Sequence, residues 1–210
     1  MKSLFSIAIM GVFMLSHLSC KRILLAQYGV KQPKIESYAS LSSFLEKQNI
    51  RTKELYGFAD TGKLYAKMKL GEVGIPEAYF FNKNGYFVPY KPAAKSCNAS
   101  VSPFLDNMAT NFNTLPCDSS RHLTKELGYL VNLKTQQKVQ LTDLPESDVY
   151  AVMYCAKYIG KVNKDKIWDW LAHIEMIQSK TKFKITPVLV SVVYLDFWHI
   201  TQKDIPKFNF

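Results

Sequence analysis

Apolar and polar positions alternate in short blocks along the whole chain. Ile23–Tyr28 is an apolar segment that predicts a first strand, stopped by Gly29. Ser37 or Ser40 then caps a helix, because Tyr38, Leu41, Phe44 and Leu45 recur at the three- and four-residue spacing of one helical face. Leu55–Ala59 predicts a strand, and Lys63–Leu70 a second helix on Leu64, Tyr65 and Met68. The apolar run ending at Phe81 and the segment Tyr86-Phe87-Val88 flank Asn82-Lys83-Asn84-Gly85, which predicts a hairpin whose Asn–Gly pair takes positive φ at both positions. A helix around Ser102–Met108 closes this half.

Asp118–Lys125 is polar without clear periodicity, and the division between two halves is expected there. Tyr129–Leu133, Lys134–Lys138 and Val139–Leu141 read as a second hairpin. Val149–Cys155 is apolar on both faces, as a central strand covered by helices must be. Asn163 is expected to cap a helix carrying Ile167, Trp170, Leu171, Ile174 and Ile177, and Pro187–Leu195 is another continuous apolar strand. Strand, helix and strand in that order imply a right-handed parallel crossover. The fold class expected is α/β, with a mixed sheet flanked by helices.

Composition agrees with a folded chain. Of 210 residues, 48% are apolar, which supplies enough burial to exclude disorder. The net charge of +10 raises the question of nucleic acid, but the lysines are scattered singly, whereas a phosphate-binding face concentrates them. No nucleic-acid partner is expected. An anionic membrane surface explains the charge better, for a reason found at the N-terminus.

Lys2 is followed by an uncharged apolar run, Leu4–Leu18, ending in Ser19-Cys20. A positive start, an apolar stretch of this length and a small residue before the cut make up a secretory leader, here residues 1–19, and the run is too short to span a bilayer. Leu15-Ser16-His17-Leu18-Ser19-Cys20 resembles the lipobox of bacterial lipoproteins, with His17 where a Leu is usual, and the leader is similar to lipoprotein signals of the Bacteroidota. The resemblance implies lipidation at Cys20 and a membrane partner reached through that anchor. Surface-exported lipoproteins of that group resemble one another in carrying acidic residues after the Cys; here Lys21 and Arg22 follow, so a periplasm-facing protein of the cell envelope is expected. In an oxidising compartment Cys97 and Cys117, both in loop-like surroundings, form a candidate disulfide. Cys155, inside an apolar run, reads as a small buried hydrophobe.

Gly74-Ile75-Pro76 before a strand, a turn and a strand resembles the thioredoxin-like superfamily, whose fold carries a cis-proline at the start of that strand. The resemblance implies a cis Pro76, and Ile75, Pro76 and Glu77 beside a groove for extended peptides. Tyr129–Leu144 is similar to the hairpin that introduces redoxin-type members, and Tyr154–Tyr158 to the aromatic end of the strand before their active site. Where those proteins have Cys-x-x-Cys, this chain reads Ile159-Gly160-Lys161-Val162. Dithiol exchange needs one nucleophilic thiolate and a second thiol to resolve the mixed disulfide, and neither is there. The proline half precedes the half that resembles the active-site strand. The resemblance therefore implies either two units, 20–117 with the cis-proline hairpin and 122–210 with the redoxin-like hairpin and βαβ segment, or one domain in permuted order; the two-unit arrangement is the expectation.

His122, His173 and His199 have no metal-ligand spacing, and no phosphate loop, nucleophile elbow or dinucleotide fingerprint appears, so no metal or cofactor is expected. Trp168 and Trp170 are read as core, and the aromatic C-terminus as a docked tail or a partner surface. The function expected is a lipid-anchored envelope protein that binds a protein or peptide partner without dithiol chemistry. A thiol–disulfide oxidoreductase using Cys155 or the Cys97/Cys117 pair is the enzyme alternative, and an immunity or accessory lipoprotein for a secreted peptide is the third.

Overall fold

The computed structural model describes residues 25–50, 52, 54–91 and 100–207. The expected leader at 1–19, Cys20, Cys97 and Phe208–Phe210 lie outside the described residues. Leu25–Gln27, expected as strand, form a helical turn, closed by hydrogen bonds from Gly29 N to Ala26 O and from Val30 N to Leu25 O. Gly29 at φ +67 lets the chain reverse there.

The strands are β1 (Ile35–Glu36), β2 (Tyr56–Phe58), β3 (Glu77–Asn82), β4 (Tyr86–Val88), β5 (Asp118–His122), β6 (Leu130–Asn132), β7 (Val149–Cys155), β8 (Ile185–Ser191) and β9 (Tyr194–Leu195). The helices are α1 (Tyr38–Lys47), α2 (Thr61–Lys69), α3 (Val101–Asn111), α4 (Leu123–Leu127) and α5 (Asp169–Lys180). One mixed sheet runs β5-β4-β3-β7-β8-β2-β6, and β1 and β9 form a small parallel pair. β7 is parallel to β8 and antiparallel to β3; β8 is parallel to β2.

The sheet order bears on the expected division. β7 lies between β3 from the first half and β8 from the second, and β2 lies between β8 and β6, so both halves are woven into one sheet. The polar stretch expected as the boundary is itself an edge strand and the start of α4. Its polarity is that of an edge strand, whose outer side faces water.

All seven residues of β7 are buried, as the unbroken apolar run requires. Val149, Ala151, Met153 and Cys155 pack with α1, α3 and α5, whereas Tyr150, Val152 and Tyr154 pack with α2 and α4. Trp168 and Trp170 join the first of these layers. Local signals set the starts of α1 and α2. Ser37 Oγ accepts from Ser40 N at the start of α1, and Asp60 Oδ1 accepts from Lys63 N at the start of α2. The β3–β4 turn differs from the expected two-residue type: only Gly85 has positive φ, and Asn82 Oδ1 accepts from both Asn84 N and Tyr86 N, so the Asn82 side chain organises the reversal. The second hairpin is short, with β6 joined to Lys138 by one bridge and no strand at 139–141. Of the aromatic residues near the C-terminus, Trp198 is docked: its Nε1 donates to Phe58 O at 3.2 Å.

Candidate functional site

β3 opens at Glu77, which pairs with Tyr154 near the end of β7. The Ile75–Pro76 bond, cis as expected, therefore stands at the same end of the sheet as the loop Lys157–Val162 that follows β7. The β3–β7 register thus brings together Ile75-Pro76 and Lys157–Val162, which are far apart in the chain.

The loop is built around Asn163. Expected as a helix cap, Asn163 instead has helical φ and ψ and is fully buried, with its amide turned back into the loop. Its Nδ2 donates to Ala156 O at 2.8 Å, and its Oδ1 accepts from Ala156 N at 3.3 Å. Satisfying both polar groups of Ala156 holds Ala156–Asn163 closed. A π-helical turn, Lys164–Trp168, then leads into α5.

Gly160 sits at φ +58 in the middle of this loop, and the N-terminal segment lies over it. Lys161 N donates to Tyr28 O at 2.7 Å, and Lys31 N donates to Tyr158 O at 2.8 Å. A Cβ on Gly160 would overlap the carbonyl oxygens of Tyr28 and Gly29. The segment is held again further on. Lys157 Nζ lies 2.7 Å from Glu36 Oε2 and 2.6 Å from Ser40 Oγ, and Gln202 Nε2 donates to Pro33 O at 3.1 Å. This cover was missed in the sequence, where the only signals for it were two isolated glycines.

Cys155 is 4% exposed, its Sγ lies 3.6 Å from Val190 O, and burial pushes the thiol up to about 12. The adjacent void is about 10 Å³, too small for a substrate disulfide. Cys117 is exposed and free among the described residues, which do not include Cys97, its expected disulfide partner. Iodoacetamide at pH 8 is expected to modify Cys117 and leave Cys155 untouched until denaturant is added, as peptide mass mapping reads; insulin reduction is expected to stay at background. Turnover that disappears in Cys155→Ser would contradict this assignment.

Of the three residues expected at the groove, Glu77 is committed elsewhere. It is 8% exposed, pairs with Lys91, and accepts from Tyr90 Oη at 2.6 Å and from Ala78 N at 3.0 Å. Its carboxylate thus serves the β3–β4 end and does not face outward. The opening lies just before it. The backbone groups of Val73, Gly74 and Ile75 make no hydrogen bond with another backbone group among the described residues, although all three are only half-buried. Three consecutive residues with unpaired backbone at the end of a sheet are a pairing edge for extended chain.

A charge cluster lies beside this segment, in the layer that holds Tyr79, Phe87 and Tyr154. Lys67, 1% exposed, sits 2.6 Å from Glu72 Oε2 and 2.7 Å from Glu126, and Arg121 Nη2 reaches Glu126 Oε1 at 3.2 Å. Tyr154 Oη donates to Glu126 Oε2 at 3.3 Å, and the Arg121 guanidinium lies 4.3 Å from the Phe87 ring centre and 4.9 Å from that of Tyr79. Every polar end in this cluster is partnered, which marks it as a fastening between α2, α4, β5 and β7. Lys67 and Glu126 are separated by 59 positions, so no local pattern could have paired them.

Comparison with known proteins returns no matching family model, no matching curated protein and no matching solved structure.

Proposed function

We propose that the chain is a lipid-anchored cell-envelope protein of thioredoxin-like architecture in permuted order, which binds an extended segment of a protein or peptide at Val73–Ile75 and performs no dithiol exchange. The observation that carries the reading is the unpaired backbone of Val73, Gly74 and Ile75 beside Pro76. The resemblance in sequence assigns peptide binding to this place. The antiparallel pairing of β3 with β7 supports it, because it sets the proline opposite the loop where the resemblance puts the redox pair. The single interleaved sheet supports permuted order over two units.

Loss of chemistry follows from Ile159 and Val162, which have no ionisable sulfur, and from the burial of Cys155. The loop's own backbone is partly taken, since Tyr158 O and Lys161 N already pair with the N-terminal segment. Recognition then rests on main-chain hydrogen bonds at 73–75, with specificity from the side chains around them. The anchor rests on the leader and Cys20; among the described residues no helix is long and apolar enough to cross a membrane.

A photo-reactive phenylalanine analogue placed at Ile75 in the full-length chain tests the site in intact envelopes. It is expected to give discrete adducts, whereas the same group at Lys83, in the turn at the far end of β3, gives none. Equal labelling from the two positions, or none from Ile75, would remove the reading.

A further inference from the structure

The N-terminal cover joins three stretches that are far apart in the chain. β1 pairs with β9 through Ile35 and Tyr194, Gln202 reaches Pro33 O, and the loop after β7 is tied to the cover through Lys161 N to Tyr28 O and Lys31 N to Tyr158 O. Residues 25–36, 157–166 and 194–207 thus lie together beyond the end of β7. They carry eight lysines against four acidic residues, whereas the other described residues hold thirteen basic and thirteen acidic ones. Among the described residues, the whole excess of positive charge is in this one region. Lysines that stand singly in the sequence are gathered by the fold. Lys31, Lys34, Lys161, Lys164, Lys203 and Lys207 are exposed, and none has a salt-bridge partner among the described residues. Of the four acids, Glu36 is taken by Lys157, Asp196 accepts from Phe197 N, Asp204 accepts from Thr201 N and Oγ1, and Asp165 stands between Lys164 and Lys166 in sequence. The stretches outside the described residues contain Lys and Arg but no Asp or Glu, so none of them can offset this charge.

We propose that this region is a membrane-docking face, its lysines set against the headgroups of anionic phospholipid such as phosphatidylglycerol. Two observations choose a bilayer over other polyanions. The chain enters the described residues at Leu25, inside this region, and Cys20 stands five residues earlier, a reach of at most about 18 Å. A lipid anchor there holds this end of the molecule close to a bilayer. Tyr28, also exposed in this region, supplies an aromatic ring of the kind that settles at headgroup level. The proposal deepens the lipid-anchored reading and rests on it for the nearness of the bilayer, while the gathering of charge stands on the fold alone. Each lysine close to an anionic leaflet contributes about fivefold in affinity, and the attraction fades within a Debye length.

The test uses the chain from residue 20 onward with Cys20→Ser, so that vesicle binding reports the face by itself; intact mass of the native protein reports the anchor separately. Co-sedimentation is expected with vesicles of one part phosphatidylglycerol to two of phosphatidylcholine, and neither in molar salt nor with phosphatidylcholine alone. Lys34→Gln/Lys161→Gln/Lys203→Gln, one exposed lysine from each stretch, is expected to weaken binding by at least about tenfold. Lys180→Gln/Lys182→Gln/Lys184→Gln removes the same charge from the opposite end of the sheet, where β8 begins, and is expected to weaken it by less than about twofold. Both variants are expected to melt at the wild-type temperature, since all six side chains are exposed. No binding to the anionic vesicles, or equal losses from the two triple variants, would overturn the proposal. So would a single-stranded oligonucleotide bound more tightly than the vesicles and lost in the first variant, which would give the face to nucleic acid. No peptide is present, so Val73–Ile75 is judged by the labelling experiment alone.

Discussion

Lys67→Met is expected to destabilise the fold by about 3 kcal/mol, the lower end of the range for breaking a buried ion pair from one side. The substitution keeps the length of the side chain at a site 1% exposed but strips the cation from between Glu72 and Glu126. Glu126, itself 4% exposed, then keeps only Arg121, at 3.2 Å, and the Tyr154 hydroxyl, at 3.3 Å. Retention of Arg121 is why the loss falls at the lower end. Adding Glu126→Gln removes the stranded charge and is expected to recover at least half of the deficit, because neutral groups of similar shape replace buried pairs at little cost.

Acid narrows the difference. Burial works to raise the Glu72 carboxyl, but the hydrogen bond and charge of Lys67 outweigh it and hold the group below its ordinary value of 4.5. A depressed carboxyl stabilises fully above the unfolded value and loses that contribution as pH falls through the folded one. Chemical denaturation of wild type and variant is therefore expected to show the difference shrinking as pH falls below 4.5 and through the lowered folded value of Glu72. A wild-type advantage under about 1 kcal/mol at pH 7, or a double variant worse than the single one, would show that the cluster is not a fastening.

Gly160→Ala is expected to loosen the N-terminal cover. The residue sits at φ +58 and ψ −126, a sparsely populated conformation that costs a side chain about 1–3 kcal/mol, and its Cβ would meet the carbonyls of Tyr28 and Gly29. Relief comes most cheaply by lifting that segment, because Lys161 N to Tyr28 O and Lys31 N to Tyr158 O are two hydrogen bonds at its end, whereas the loop on the other side is pinned by buried Asn163. Trypsin cleavage after Lys31 is expected to accelerate by about tenfold, as about 1.4 kcal/mol of local opening implies, with global stability changed less. Unchanged cleavage would mean that the segment does not depend on Gly160.

Much of the architecture is written in local pattern. Ser37 and the spacing of Tyr38, Leu41 and Leu45 define α1, and the unbroken run at 149–155 defines a strand buried on both faces. What local pattern cannot hold is adjacency. Nothing in Val149–Cys155 says that its neighbours are Glu77–Asn82 on one side and Ile185–Ser191 on the other, so one interleaved sheet was not visible as such. The same limit hid Asn163, whose type suits a helix cap and whose amide here closes a loop through Ala156, seven positions back. At the site, cis Pro76 and the missing thiols were legible as motif. Glu77 was not, since its partners Tyr90 and Lys91 approach only because the β3–β4 hairpin folds back.

Amide hydrogen exchange bears most directly on whether Val73–Ile75 is where a partner strand docks. Peptides free of cysteine are selected from a random display library on the full chain, and exchange is followed with and without the best binder under reducing conditions. The expected result is rapid exchange at Val73, Gly74 and Ile75 in the free chain and marked slowing there on binding. Failure to select any binder without cysteine, or protection appearing elsewhere while these three amides stay unchanged, would contradict it.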